Sequence, residues 1–368
     1  MREDVGQLLW IGFEGTSASP ELQAQLAAGE AGATIVFKRN LDIVDDRCDL
    51  DALVALNRQL HVAAPDGTPA WIAVDQEGGR VQRVKAPATI WPPMYRHRAM
   101  PDEVATQLAY GVGEAMGSEL AALGFDVDFA PVLDVHTNPA NPIIGDRAFG
   151  DDPALVGQLA MAFAAGLHRA GIVACGKHFP GHGDTATDSH LELPRVDHSW
   201  DRLAGVELAP FRFAATEPLW LLMTAHVVFA ALDATRPATL SPRVMTELLR
   251  GELGYRGVVI SDDLDMKAIA DHVGVEAAAV QAIRAGCDVL LLCRDPQHQV
   301  MAREALIRAA EGDSELRRRI GESAARVREL KRAVEADRRP RPGLDIVGCA
   351  AHQELAAFLA EGVPLGLA

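Results

Sequence analysis

The feature that most constrains the fold is a short apolar run that recurs eight times and ends each time in polar or ionisable residues. The runs cover residues 10–13, 34–37, 71–74, 127–133, 172–175, 219–225, 258–260 and 289–293. Continuous apolar runs of this length are typical of parallel strands buried on both faces. Alanine-rich stretches with helical spacing lie between the runs, for example 103–123 and 155–170. Because strands and helices alternate, the pattern predicts βαβ units, and eight of them predict a (β/α)8 barrel of the TIM type.

A doubly wound parallel sheet is the alternative fold. It usually has fewer strands and a glycine-rich phosphate loop after the first, and no G-x-G-x-x-G or G-x-x-x-x-G-K-[ST] motif occurs here. Beyond the last run, residues 296–336 have the pattern of two helices, a Pro-Arg-Pro-Gly break lies at 340–343, and 351–359 favours a final helix. We therefore expect a barrel over residues 1–335 with C-terminal helical additions, and a tail with one short helix over 336–368.

Charge and cysteine content narrow the class of partner. Lys plus Arg number 35 and Asp plus Glu 51, a net charge of −16, which disfavours nucleic acid and anionic membranes as ligands. The arginine groups at 317–319 and 338–339 are interleaved with acids, as on a solvated helix face.

Five cysteines, an odd number without a C-x-x-C pair, indicate free thiols in a reducing compartment. With no signal-peptide pattern and no apolar run long enough to span a bilayer, we expect a cytoplasmic protein that does not contact membranes.

Ionisable side chains follow several of the predicted strands. In a TIM barrel the carboxyl ends of all strands meet on one face, where the active site is built. We therefore expect one pocket to be formed by residues that are far apart in sequence, namely Asp75, Asp134, Lys177, His178, His226 and Asp262.

The densest group of ionisable residues is the predicted loop at 176–190, which contains three His, two Asp and one Lys. One interpretation is a metal site formed by His178, His182, Asp184 and His190. The other is acid/base catalysis by Asp188 and His190. In an extended segment side chains two residues apart point the same way, so the carboxylate can fix the imidazole tautomer. Spacing alone leaves both open.

Two further segments have the residue types of a catalytic site. In 257–266, Asp262 ends a predicted strand and can act as a nucleophile or stabilise a developing cation, whereas Asp263 or Asp265 could cap the next helix. In 73–83, Asp75 is followed by a Gly-Gly turn and two arginines, which suits recognition of hydroxyl groups. Arg147, after the fourth run, adds a further cation on the same side.

Together these motifs resemble the catalytic domain of glycoside hydrolase family 3, in its bacterial β-N-acetylglucosaminidase branch. The resemblance rests on KHFPGHGDT at 177–185 with DSH at 188–190, VDQEGGR at 74–80 and SDDL at 261–264, and it covers about residues 5–335. The first motif is long and specific to this branch.

The resemblance implies a retaining, two-step hydrolysis in which Asp262 is the nucleophile and His190, paired with Asp188, is the general acid and base. The positions that match the family's binding site for a terminal N-acetylglucosamine are Asp75, Arg83, Arg147, Lys177 and His178. The implied substrates are N-acetylglucosamine-β-1,4-anhydro-N-acetylmuramic acid peptides. We expect the enzyme to need no cofactor and no metal, and to be a monomer or a weak homodimer. A phosphorylase on the same scaffold and a metal-dependent hydrolase that uses the His-rich loop remain alternatives.

Overall fold

The computed structural model describes residues 1–62, 64–185 and 193–361, in which eight parallel strands close into a barrel. Each strand pairs with the next one along the chain, and β8 pairs with β1. The strands are β1 (Leu9–Gly12), β2 (Ala33–Val36), β3 (Trp71–Val74), β4 (Val127–Asp128), β5 (Val173–Phe179), β6 (Leu221–Thr224), β7 (Val258–Asp263) and β8 (Val289–Leu292). Each contains part of one predicted apolar run, so the (β/α)8 prediction is confirmed.

The described helices surround the barrel. They are α1 (Arg2–Gln7), α2 (Pro20–Ala27), α3 (Leu50–Leu60), α4 (Asp102–Leu123), α5 (Pro153–Arg169), α6 (Trp200–Gly205), α7 (Ala209–Thr216), α8 (Lys267–Ala270), α9 (Val275–Ala285), α10 (Pro296–Glu311), α11 (Ser314–Ala336) and α12 (Ala350–Glu361). A π-helical segment, Arg243–Glu252, lies between β6 and β7. The helices expected within 296–336 and over 351–359 are present as α10, α11 and α12, while the domain boundary at 335 stays a prediction.

Local sequence explains where several helices begin. Asp152 precedes α5, and its carboxylate accepts hydrogen bonds from the backbone N–H groups of Ala154 and Leu155. Pro153 occupies the first turn, where a missing N–H costs nothing. Asp295 and Pro296 start α10 in the same way. These capped starts fix the register of the helices that follow β4 and β8.

The barrel interior is filled by large apolar side chains. The rings of Trp10 and Trp71 meet edge to face with centroids 6.2 Å apart, and Trp10 stacks on Phe129 at 6.4 Å. These rings, with Ile35 and Leu221 among others, belong to a cluster that is separate from the larger layer between sheet and helices. The barrel is therefore a packed core, and a ligand has access to it only at its ends.

One prediction about β5 is wrong. Lys177 and His178 were expected in the loop after a strand ending at Cys175, but β5 continues to Phe179. The backbone N–H of Lys177 donates to the carbonyl oxygen of Pro131 at 3.0 Å, and its own carbonyl accepts from Leu133 at 2.6 Å. This continued parallel pairing extends the strand beyond its apolar part.

Two findings concern the environment of the chain. All five cysteines are free thiols, and four of them are buried. Among the residues that the structure describes, no helix combines the length and apolar character needed to span a membrane.

Candidate active site

A cavity of about 540 Å³ opens at the carboxyl ends of the strands. Of the residues expected to converge, Asp75, Lys177, His178 and Asp262 all line it, although they lie on three different strands or the loops that follow them. Arg83 and Arg147 line it too. The expected meeting of distant segments at this face is therefore observed for these six residues.

Five charged side chains on one side of the cavity form a continuous network, which we call the charge cluster: Asp75, Glu77, Arg83, Arg147 and Lys177. Lys177 Nζ lies 3.0 Å from Asp75 Oδ1 and 2.5 Å from Glu77 Oε1. Arg83 Nη2 donates to Asp75 Oδ2 at 2.9 Å, and Arg147 donates to Glu77 through Nε at 2.7 Å and Nη2 at 2.8 Å. The alternating signs hold these side chains in one geometry.

The charge cluster is ionised at neutral pH. Burial alone would raise the pKa of Asp75, but the charges of Lys177 and Arg83 hold it well below its usual value. Burial likewise opposes ionisation of Glu77, yet Arg147 and Lys177 lower its pKa to about 2. The two carboxylates in turn raise the pKa of Lys177 against the effect of its burial. The cavity therefore presents fixed charges that can make charge-assisted hydrogen bonds to hydroxyl groups.

A small hairpin positions Arg83, one of the two arginines of this cluster. Gln76–Gly78 pairs antiparallel with Val81–Gln82, and the predicted Gly-Gly turn joins them. Gly78 and Gly79 have φ of 89° and 57°, the left-handed region that favours glycine. The Gln76 amide oxygen accepts the backbone N–H of Arg83 at 3.0 Å. The chain thus returns across the end of β3 and places Arg83 next to Asp75.

A buried Asp–His pair lies beside the cluster. His178 Nδ1 is 2.6 Å from Asp134 Oδ2, and Asp134 Oδ1 also accepts the backbone N–H of His182 at 2.6 Å. His178 Nε2 lies 3.5 Å from Arg147 Nη2 on the cavity side. Burial lowers the pKa of His182 to about 4, and the nearby His178 contributes the second-largest lowering. His182 is therefore neutral at physiological pH. Asp134, expected to line the pocket, instead orients the imidazole that does.

Asp262 lies near the end of β7 and lines the cavity opposite the charge cluster. Its Oδ1 accepts the backbone N–H of Asp263 at 2.8 Å. Asp263 Oδ1 accepts the N–H groups of Asp265 and Cys293, both at 3.1 Å, which ties the end of β7 to the end of β8. The alternative that Asp263 or Asp265 caps the next helix is wrong, because α8 begins after Met266 without a side-chain cap.

Some predicted residues lie elsewhere. Asp188 and His190 fall outside the described residues. His226 is buried, with Nδ1 2.8 Å from Thr239 Oγ1 and Nε2 3.1 Å from the carbonyl oxygen of Asp263, and it is not among the cavity-lining residues. His226 therefore links Thr239, which follows β6, to the end of β7.

Of the four residues in the metal interpretation of the loop, His178, His182 and Asp184 are described and His190 lies outside the described residues. His182 Nδ1 is 2.8 Å from Thr185 Oγ1, and Asp184 contacts Thr137 and His198. Within residues 1–62, 64–185 and 193–361, no group of three or more His, Cys, Asp or Glu side chains is arranged to hold a metal ion.

Glu77 is a site residue that sequence reasoning did not single out. It bridges Arg147 and Lys177 and is almost fully buried. The signal was present, because Glu77 lies two residues after Asp75 in an extended segment and so faces the same side.

A closed (β/α)8 barrel with ionised carboxylates and cations gathered in a cavity at its C-terminal face is the architecture of a TIM-barrel enzyme. A family model described as the glycosyl hydrolase family 3 N-terminal domain matches residues 1–330. A β-hexosaminidase of Alkalilimnicola ehrlichii is 44% identical over 293 residues, which is 78% of this chain and 81% of that protein. The chain therefore belongs to glycoside hydrolase family 3.

Two solved structures are similar over nearly the whole chain. A glycoside hydrolase family 3 β-N-acetylglucosaminidase from Paenibacillus sp. FPU-7 has a TM-score of 0.88 and 38% identity, covering 98% of this chain and 68% of that one. Native NagZ from Neisseria gonorrhoeae has a TM-score of 0.78 and 31% identity, covering 96% of this chain and 97% of that one.

Proposed function

We propose that this chain is a retaining exo-β-N-acetylglucosaminidase that removes the terminal non-reducing N-acetylglucosamine from peptidoglycan fragments, N-acetylglucosamine-β-1,4-anhydro-N-acetylmuramic acid peptides. Its family and its relatives make it a glycosidase of the β-N-acetylhexosaminidase type. The observation that carries the finer proposal is the position of Asp262 in the same cavity as the charge cluster. The carboxylate of Asp262 therefore faces a sugar whose hydroxyl groups are bound by the charge cluster.

In the binding step, Asp75, Arg83, Arg147, Lys177 and His178 hold the terminal sugar. Ionised carboxylates accept hydrogen bonds from sugar hydroxyls, while Lys and Arg donate to the oxygen atoms. Because the ion pairs already fix these side chains, little conformational entropy is lost when the sugar binds. Asp134 contributes indirectly, since it orients the His178 ring through the 2.6 Å contact.

In the chemical steps, a carboxylate oxygen of Asp262 forms a bond to the anomeric carbon as the glycosidic bond breaks. His190, paired with Asp188, gives its proton to the departing oxygen. The neutral imidazole then removes a proton from water, which attacks the anomeric carbon and releases Asp262. The roles of Asp188 and His190 rest on the family motif, because both lie outside the described residues. The substrate and the free thiols of the chain fit action in the reducing cytoplasm.

Covalent trapping tests the nucleophile. A 5-fluoro-N-acetylglucosaminyl fluoride slows hydrolysis of the glycosyl-enzyme, so intact-protein mass should rise by one fluorosugar and the label should map to the peptide that contains Asp262. Asp262→Asn should not be labelled and should lose turnover by about four orders of magnitude. A label on another residue would overturn the assignment.

Product and substrate comparisons test the reaction class. We expect an aryl N-acetyl-β-glucosaminide to be cleaved far faster than the matching glucoside. With phosphate present the product should still be the free sugar, with the β-anomer formed first. Sugar 1-phosphate as the main product would establish the phosphorylase alternative instead.

A further inference from the structure

The C-terminal helix α12 makes a buried polar contact with a helix of the barrel. It lies beyond residues 1–330, the part of the chain that the family model matches. In its first turn, His352 Nδ1 lies 2.8 Å from Oε1 of Glu119 on α4. The same oxygen accepts the backbone N–H of Gly348 at 3.0 Å. Both side chains are buried, and a buried carboxylate needs such partners, two of which come from this end of the chain.

Glu119 also holds a segment that leads back to the cavity. Its Oε2 accepts the backbone N–H of Thr89 at 3.1 Å, and its Oε1 accepts the Thr89 hydroxyl at 2.5 Å. The C-terminal part of the chain contacts the same segment directly. A Cβ on Gly348 would lie 2.0 Å from the carbonyl oxygen of Pro87, so the two backbones touch there. Residues 87–91 are therefore fixed between α4 and the start of α12.

The hairpin that precedes Arg83 is hydrogen-bonded to this segment. Gln82 Nε2 donates to the carbonyl oxygen of Thr89 at 2.8 Å, and Gln82 Oε1 accepts the backbone N–H of Trp91 at 3.0 Å. The carbonyl oxygen of Trp91 in turn accepts the N–H of Gly79, in the hairpin turn, at 2.8 Å. Gln82 and Trp91 are buried, and Gln82 directly precedes Arg83 in the chain. The position of the segment therefore sets the position of the hairpin.

These contacts form one continuous path from α12 to the charge cluster. The path runs through His352, Glu119, Thr89, Gln82 and Arg83. It ends where Arg83 donates to Asp75 Oδ2 at 2.9 Å on the cavity wall. Close-packed interiors transmit small displacements because they contain little free space to absorb them. A misplacement of about 1 Å in a catalytic site can cost about a hundredfold in rate, so the far end of such a path affects the site.

We propose that His352 is a positioning residue of this enzyme, which fixes Glu119 and thereby places Arg83 for the terminal sugar. This role rests on the proposed function, in which Arg83 binds that sugar. His352 is not among the residues that line the cavity, so its effect is indirect. Arg83 contacts the sugar both before and during bond cleavage. A displaced Arg83 therefore weakens binding of the ground state and of the transition state alike, which raises KM more than it lowers kcat.

The experiment measures kcat and KM on an aryl N-acetyl-β-glucosaminide, together with urea unfolding, for four variants and the wild type. His352→Leu removes the contact to Glu119, whereas His352→Asn keeps an N–H group that can donate to it. Thr89→Val removes only the hydroxyl that Glu119 accepts. His61→Leu is the matched control, because His61 Nε2 also lies 2.8 Å from a buried carboxylate, that of Asp126. Asp126 precedes β4 and so lies at the end of the barrel away from the cavity.

We expect KM to rise about fivefold in His352→Leu and about twofold to threefold in Thr89→Val, with kcat within about twofold of the wild type in both. His352→Asn should restore KM to nearly the wild-type value, and His61→Leu should lose stability without a change in KM. If His352→Leu does not fold, Thr89→Val and His352→Asn decide.

Three results would overturn the positioning role of His352. They are an unchanged KM in both His352→Leu and Thr89→Val, a KM in His352→Asn as high as in His352→Leu, and an equal rise in His61→Leu. If instead the wild type did not cleave the aryl N-acetyl-β-glucosaminide, the proposed function itself would fail.

Discussion

The two ends of the barrel both contain buried carboxylates surrounded by cations, but they serve different purposes. At the C-terminal end, Asp75 keeps a side-chain exposure of 15% and lines the 540 Å³ cavity. At the N-terminal end, Asp126 and Asp288 have no exposed side-chain surface at all. A buried ion-pair network is therefore not by itself the mark of a site. Access to a cavity distinguishes the functional network from the structural one.

The networks at the N-terminal end are built from helices that close the barrel. Asp288 lies 2.6 Å from Arg250, 3.0 Å from Arg319 and 2.6 Å from Arg326. The chain position of each carboxylate separates the two kinds of network. Asp288 comes directly before a strand and Asp75 directly after one. In a parallel barrel this order alone decides which end a residue occupies.

The largest effect expected at the N-terminal end is on stability. Asp288→Asn leaves three arginines around a neutral amide, and breaking a buried ion network of this kind costs about 3–5 kcal/mol of unfolding free energy. Urea denaturation measures this loss. The folded variant should keep its kcat/KM within about twofold, and Arg318→Gln, which removes an exposed i,i+4 pair, is the control with a loss of about 0.5 kcal/mol or less. A variant with normal stability and impaired catalysis would contradict the division between the two ends.

The matching change at the C-terminal end should affect catalysis instead. Asp75→Asn removes the charge that Lys177 and Arg83 share and one charge-assisted hydrogen bond to the sugar. We expect kcat/KM to fall about a hundredfold, or about 2.7 kcal/mol. Steady-state kinetics on an aryl N-acetyl-β-glucosaminide measures the loss. If Asp75→Asn lowered stability as much as Asp288→Asn and left kcat/KM unchanged, the charge cluster would be structural as well.

Sequence reasoning reached the barrel and the residues that follow its strands, because both depend on local patterns. Apolar runs and the residues just beyond them are visible within a few positions of each other. Pairing between segments that are distant in sequence cannot be seen in such local patterns. The arginines at 317–319 were interpreted as a solvated face, and Arg318 does pair with Glu322 at 2.5 Å. Arg319, however, turns inward to Asp288, and Arg338 contacts Asp126 across 212 residues of sequence. Only the closed fold brings these partners together.

The smallest effect concerns Lys331, a lysine of α11 buried at the N-terminal end of the barrel. Its Nζ donates to the Gln7 side chain at 3.1 Å and to the carbonyl oxygens of Gly32 at 2.6 Å and Pro69 at 2.9 Å. It also lies 5.6 Å from the centre of the Trp71 ring. All three acceptors are uncharged, in contrast to the carboxylates that hold Lys177, and burial lowers the pKa of Lys331 to about 7.

This contrast predicts opposite pH behaviour for two buried lysines. Between pH 7 and about 10.4 the unfolded chain keeps the Lys331 proton while the folded chain releases it, so stability from this group rises with pH. From pH 7 to pH 8 the rise is about 1 kcal/mol. Urea unfolding of the wild type and Lys331→Met at both values measures it, since the difference between the two proteins should change by this amount in favour of the wild type. A difference that does not change with pH would mean that the three acceptors hold Lys331 charged, and both lysines would then be fixed cations.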